Sequence, residues 1–256
     1  MQPEKIAYKW LQLEKRGKLL DKNNFFDYVN YFEQNPPRGW EEKLEKSKEV
    51  INEHRSYKVR GFEKLLTDDE FLSRVYDVVK LFMESQYKKA EMVEKNEFQR
   101  KVKEFSPVLS ELVQYKLSEL SEEEFKEIKN KIEKEFFTKT KWSDFKLKIM
   151  KGDSQLVGFS KTLYHLAPDL FPPIDRKYVI YFFYNNTSFS CLQERNKFLE
   201  VLDWFYYISK HLALTEKDLR YNPEWRWNTS IPKLIDHAII GFVRKEFPRR
   251  KDCRKP

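Results

Sequence analysis

The stretch LVGFSKTLYHLAPDLFPPID, residues 156–175, sets a lysine, Lys161, near the start of a helical run and an aspartate, Asp175, at the end of a proline-broken loop. A lysine amine that has lost its proton is a nucleophile. A fixed carboxylate beside it stabilises positive charge as that charge develops. The pair works only if the chain doubles back. Residues 161 to 167 as helix advance about 10 Å, at roughly 1.5 Å per residue. The following eight residues reach up to about 26 Å when extended, which is enough to return Asp175 to Lys161. Pro168 ends the helix, while Pro172 and Pro173 stiffen the return. Taken singly, Asp175 is also a good helix N-cap and Lys161 an ordinary surface lysine.

The residues upstream read as phosphate contacts. A short basic helix over 142–150 is expected to lead through a hairpin with Gly152 and Gly158 into a helix starting near Ser160. Such a unit aims backbone amides at a phosphate, and the positive end of the second helix adds to the attraction. Lys146, Lys148 and Lys151 would flank the same phosphates, with Gly158 and Ser160 at the backbone.

In this order of parts the segment resembles the helix-hairpin-helix-GPD superfamily of DNA base-excision glycosylases. LVGFSKTL stands for the hairpin and its lysine, and FPPIDRKYV for the loop and its aspartate. The resemblance covers about 142–178 and carries the lysine to Lys161 and the aspartate to Asp175. The hairpin has one glycine where the family commonly has two and lacks its proline, the interval from Lys161 to Asp175 is shorter than usual, and there is no iron–sulfur cysteine cluster. The resemblance implies a DNA glycosylase, with or without a lyase step, acting without a cofactor on duplex DNA that carries a damaged or modified base. That base must leave the stack for a pocket with aromatic walls. Trp142, Tyr178, Phe182, Trp225 and Trp227 are the candidates.

Two other readings use the same residues. PDLFPPIDRK echoes the metal-dependent PD-(D/E)xK nucleases through Asp169, Asp175 and Lys177, although two prolines are poor material for the strands that such a site needs. A helix-hairpin-helix can also bind DNA with no catalysis.

The elements that must position these groups are helical. Of 256 residues, 35% are charged, six are glycine, and long runs repeat an apolar residue every three or four positions. The expected fold class is all-α: two packed helical lobes, 60–166 and 1–59 with 167–256, forming one unit around a cleft. Helices are expected over 4–20, from Asp21 or Asn23 to NPPRG, over WEEKLEKSKEVINEH, after a Thr67/Glu70 capping box, from Ser106-Pro107, and after a Ser121/Glu124 box. Others follow over RKYVIYFFY, LQERNKFLEVLDWFYYISKHL and SIPKLIDHAIIGFVRKEF, with a short one opened by Thr215 and Asp218.

The net charge of +8 gathers in the lysine-rich run 139–151 and in RKEFPRRKDCRKP, 244–256, which favours a phosphate backbone. Cys191 and Cys253 have no metal-spaced partner, and His54, His165, His211 and His237 stand singly. No run is long and apolar enough for a membrane span, nor is an apolar leader legible. A monomeric cytoplasmic protein with no membrane partner is the expectation.

Overall fold

Polar caps and proline–glycine stops divide the chain as the sequence suggests. The computed structural model describes residues 16–56, 61–84, 90–138 and 145–247. Among them are eleven α-helices, and β structure is confined to isolated bridges. Asp21 caps α1 (Lys22–Gln34) by accepting the Asn24 amide at 2.9 Å. NPPRG ends it, with Gly39 at φ +76, a backbone angle that glycine adopts without strain. α2 (Glu41–Ser56) follows.

Thr67 closes α3 (Phe62–Thr67) rather than opening α4 (Asp69–Glu84). Asp68 takes the capping role, its Oδ1 accepting the amides of Glu70 at 2.8 Å and Phe71 at 3.0 Å. The expected Thr67/Glu70 box is therefore displaced by one residue, because aspartate caps at least as well as threonine. α5 (Lys95–Glu104) and α6 (Ser106–Leu112) come next, Pro107 sitting in the first turn of α6. The Ser121/Glu124 box opens α7 (Glu122–Phe136).

The basic helix expected over 142–150 is absent from its described part. Residues 145–150 are not helical, and isolated bridges join Phe145 to Phe137 and Met150 to Met92. The cause is visible in the alternation: Phe145, Leu147 and Ile149 are buried, while Lys146 and Lys148 face solvent. A period of two belongs to extended chain. Trp142 lies outside the described residues, as do residues 4–15 of the first expected helix; Arg16–Leu20 form a 3-10 turn. The basic run at the C-terminus is described only to Phe247.

α8 (Leu156–Leu166) is buried along its whole length. It packs against α2, α4 and α10 (Glu194–His211). Asp175 opens a π-helical turn, Arg176–Ile180, that continues into α9 (Tyr181–Tyr184), so the ambiguous RKYVIYFFY is helical. A 3-10 turn, Glu216–Arg220, follows the Thr215/Asp218 box. α11 (Ile231–Glu246), capped by Ser230, lies against α1, and buried apolar side chains from all these segments form one continuous cluster.

Candidate functional site

A helix buried on every side must satisfy its own polar residues, and α8 carries Ser160, Lys161, Thr162, Tyr164 and His165. His165 Nδ1–H donates to the Lys161 carbonyl at 2.7 Å, which leaves Nε2 to accept from the Ser47 hydroxyl at 2.9 Å. Burial holds this imidazole neutral, its pKa lowered to about 3. His54 Nε2–H donates to the Leu166 carbonyl at 3.0 Å, one of the carbonyls that a helix end leaves free. These contacts fix α8 to α2.

Lys161 is 3% exposed and Asp175 is 1% exposed. The chain does return as its length allows. The two groups feel each other's charge without an ion-pair contact, since Asp175 is the strongest neighbour opposing the loss of the Lys161 proton. Desolvation prevails over that attraction, with Lys233 and Lys43 repelling and Asp236 attracting, and the Lys161 pKa falls to about 8. Lys161 Nζ sits 4.5 Å from the centre of the Phe82 ring. Asp175 Oδ1 accepts the Tyr178 amide at 3.0 Å as an N-cap, while its Oδ2 is buried and has no hydrogen-bond partner.

The neighbours of the pair are aromatic. Trp40 meets Phe82 edge-on at 5.8 Å and Tyr178 at 5.9 Å. Phe82, Trp40 and Tyr178 thus link the amine to the segment that carries the carboxylate. Beyond them, Lys233 Nζ pairs with Asp236 Oδ2 at 2.8 Å, both side chains buried on α11. Trp40, Phe82, Lys233 and Asp236 were not legible as site residues, because their spacing along the chain matches ordinary amphipathic helix and loop. The one available signal is the pair of charges, Lys233 and Asp236, inside the otherwise apolar run IPKLIDHAII.

The other expected site residues are placed differently. Gly158 is inside α8 rather than in a hairpin, and a Cβ there would strike Met150 Sδ. Ser160 Oγ accepts the Ile174 amide at 3.2 Å and donates to the Val157 carbonyl at 3.1 Å, so it ties the return loop to α8. Neither meets solvent. The amides at the head of α8 are also taken. Glu194, wholly buried, accepts from Gln155 N at 2.6 Å and Leu156 N at 2.9 Å, and Arg176 pairs with it. A carboxylate of this protein occupies the place where a phosphate was expected. Lys151 pairs with Glu94 at 3.0 Å and Glu91 at 3.4 Å. Lys146 is exposed and donates to the Lys134 carbonyl at 2.7 Å; Lys148 is also exposed.

Of the expected pocket walls, Tyr178 borders the pair. Phe182 is core, packed on Phe183 and Phe242. Trp227 is buried and donates to Glu45 at 2.6 Å; half-buried Trp225 donates to Asn30 at 2.7 Å. Asp169 pairs with Arg55 at 3.3 Å, Asp175 caps a turn and Lys177 is exposed. Among the described residues no group of His, Cys, Asp and Glu side chains is arranged to hold a metal ion. No helix among them is long and apolar enough to cross a membrane.

An open hollow of about 550 Å³ between α2 and α4 is lined by Lys46, Glu53, Arg74, Asp77 and Leu81, among others, and not by the buried pair. Compared with protein-family models, with curated proteins and with solved structures, the chain matches none.

Proposed function

We propose that this protein is a DNA N-glycosylase with a lyase step, taking a damaged or modified base out of duplex DNA. The reading is carried by one observation: a buried lysine amine of reduced basicity lies within electrostatic reach of a carboxylate oxygen that has no protein partner. The amine lone pair of Lys161 would attack C1′ of the nucleotide as the N-glycosidic bond breaks. The base leaves with that bonding pair and acquires a proton, while Asp175 Oδ2 stabilises the positive charge on the sugar. Opening of the sugar ring then turns the new C–N bond into an imine. Loss of a C2′ proton expels the 3′ phosphate.

The aromatic rings of Trp40, Phe82 and Tyr178 supply stacking faces for an extruded base. Lys161 and Asp175 are both buried, so the base requires an opening of the packing around them, and the division between the expected lobes, 60–166 and 1–59 with 167–256, would fall between the two residues. Exposed Lys146 and Lys148 remain as backbone contacts; the helix-hairpin-helix does not belong to this reading.

The experiment uses duplex oligonucleotides, each carrying an oxidised guanine, an alkylated purine, a modified pyrimidine or an abasic site. The expected result is base release from at least one substrate and a borohydride-trapped adduct. Asp175→Asn, which keeps an N-cap side chain, abolishes base release while DNA binding survives, and Lys161→Gln removes the adduct. Excision at the parent rate by both variants overturns the assignment. Salt-sensitive binding with no product on any substrate supports instead a non-catalytic DNA-binding module, a reading that the burial of Lys161 and Asp175 favours.

A further inference from the structure

The Lys233–Asp236 pair is hard to explain by stability. Ser230 caps α11, with the Lys233 amide donating to its Oγ at 3.3 Å, so Lys233 stands in the first turn. A cation there is opposed by the positive end of the helix dipole. Both side chains are nearly free of solvent, at 5% and 2% exposure. A buried ion pair seldom contributes more than an apolar pair of the same volume. In addition, Asp236 Oδ1 is buried and has no hydrogen-bond partner. The pair therefore carries an unmet polar demand of its own.

Its position supplies a purpose. Lys233 Nζ lies 5.9 Å from the centre of the Tyr164 ring, and Tyr164 is one helical turn beyond Lys161 on the same side of α8. We propose that Lys233 and Asp236 are positioning residues for the Lys161 amine: Lys233 is a fixed second ammonium that repels the Lys161 proton, and Asp236 holds Lys233 in place. Enzymes that use a lysine nucleophile near neutral pH need such a neighbour or desolvation; here Lys161 has the neighbour and is buried.

The groups that bear on Lys161 come from five elements. The return loop gives Asp175, α11 gives Lys233 and Asp236, α2 gives Lys43, and α8 gives His165, while α4 contributes the Phe82 ring. Burial is the largest cause of the lowered basicity, and among the neighbours Lys233 is the strongest that acts in the same direction. It also outweighs Asp236, so the pair as a whole favours the free amine.

This inference rests on the proposed role of Lys161, yet its test needs no DNA. The protein, ¹³C-labelled at lysine, is titrated by NMR through the Lys161 Cε resonance, assigned by its loss in Lys161→Met. Lys233→Met moves the midpoint up by about one pH unit, because it removes the strongest neighbour that repels the Lys161 proton. Asp236→Asn moves it down. The double variant Lys233→Met/Asp236→Leu, an apolar pair expected to fold, moves it up by less than Lys233→Met alone. Midpoints that stay with the parent in Lys233→Met and in the double variant, or that move the opposite way, overturn the proposal. If instead the midpoints move as stated and no substrate is processed, the positioning role stands and the glycosylase reading falls.

Discussion

Lys161 illustrates how a residue can weaken the fold that holds it. Its pKa is lowered from 10.5 to about 8, chiefly by burial. Between those values the unfolded chain holds a proton that the folded chain has released, so stability rises with pH across that window. Below about 8 the folded protein carries a buried ammonium, a cost on the order of 3 kcal/mol at neutral pH. Replacing Lys161 with methionine removes this cost and also removes the attraction to Asp175. Urea unfolding is expected to show Lys161→Met more stable than the parent by about 1–3 kcal/mol at pH 7, with the gain fading toward pH 10. A difference that is flat with pH would mean that the amine keeps its ordinary basicity in the fold. Lys161 and Asp175 were legible because a lysine, a proline-stiffened return and an aspartate have a computable reach. Trp40 and Phe82 were not, since two rings that meet only through tertiary packing leave no mark on spacing.

At the scale of elements, what was legible followed from local rules. Asp21, Ser121 and Asp175 each accept the backbone amide that a helix start leaves free. The misreadings arose where a distant partner decided the outcome. Residues 145–150 are not helical because their phenylalanine, leucine and isoleucine alternate into the core, and the head of α8 is closed to anions because Glu194 arrives from α10. The α1–α11 pair shows the same limit. Gly241, in the middle of a helix, reads as a mild weakness in sequence, yet it is the point where two backbones meet. A Cβ at Gly241 would collide with the Tyr28 carbonyl oxygen on α1. In an isolated helix Gly→Ala stabilises by about 1 kcal/mol; here the helices must part. Gly241→Ala is expected to destabilise by about 1–3 kcal/mol or more, read as a lower urea midpoint. Gly152→Ala, with nothing within 4 Å of the added carbon, is the control and should match the parent. Equal midpoints for both variants would show that α1 and α11 are not in close backbone contact.

The whole molecule depends on histidines that stay neutral. His54 is lowered to about 4 and His165 to about 3, both mainly by burial, and His237, stacked 3.9 Å from Phe32, is also far below its ordinary value. As pH falls below 6.5 the unfolded chain takes up these protons and the folded chain does not, so the stability they contribute is lost toward their folded values. Burial acts oppositely on carboxyls. Glu33, Asp169, Asp203 and Asp236 are raised, so they bind protons earlier in the folded state and offset part of the loss. The histidine contribution is therefore best read as a difference. His54→Gln keeps a side-chain donor for the Leu166 carbonyl and removes one titrating group. Between pH 6.5 and 4.5 the parent should lose stability faster than this variant by about 1.4 kcal/mol per pH unit, one proton's worth. Parallel slopes for parent and His54→Gln would mean that this imidazole takes a proton without unfolding. The link between α2 and the end of α8, the buried helix that carries Lys161, would then open to water.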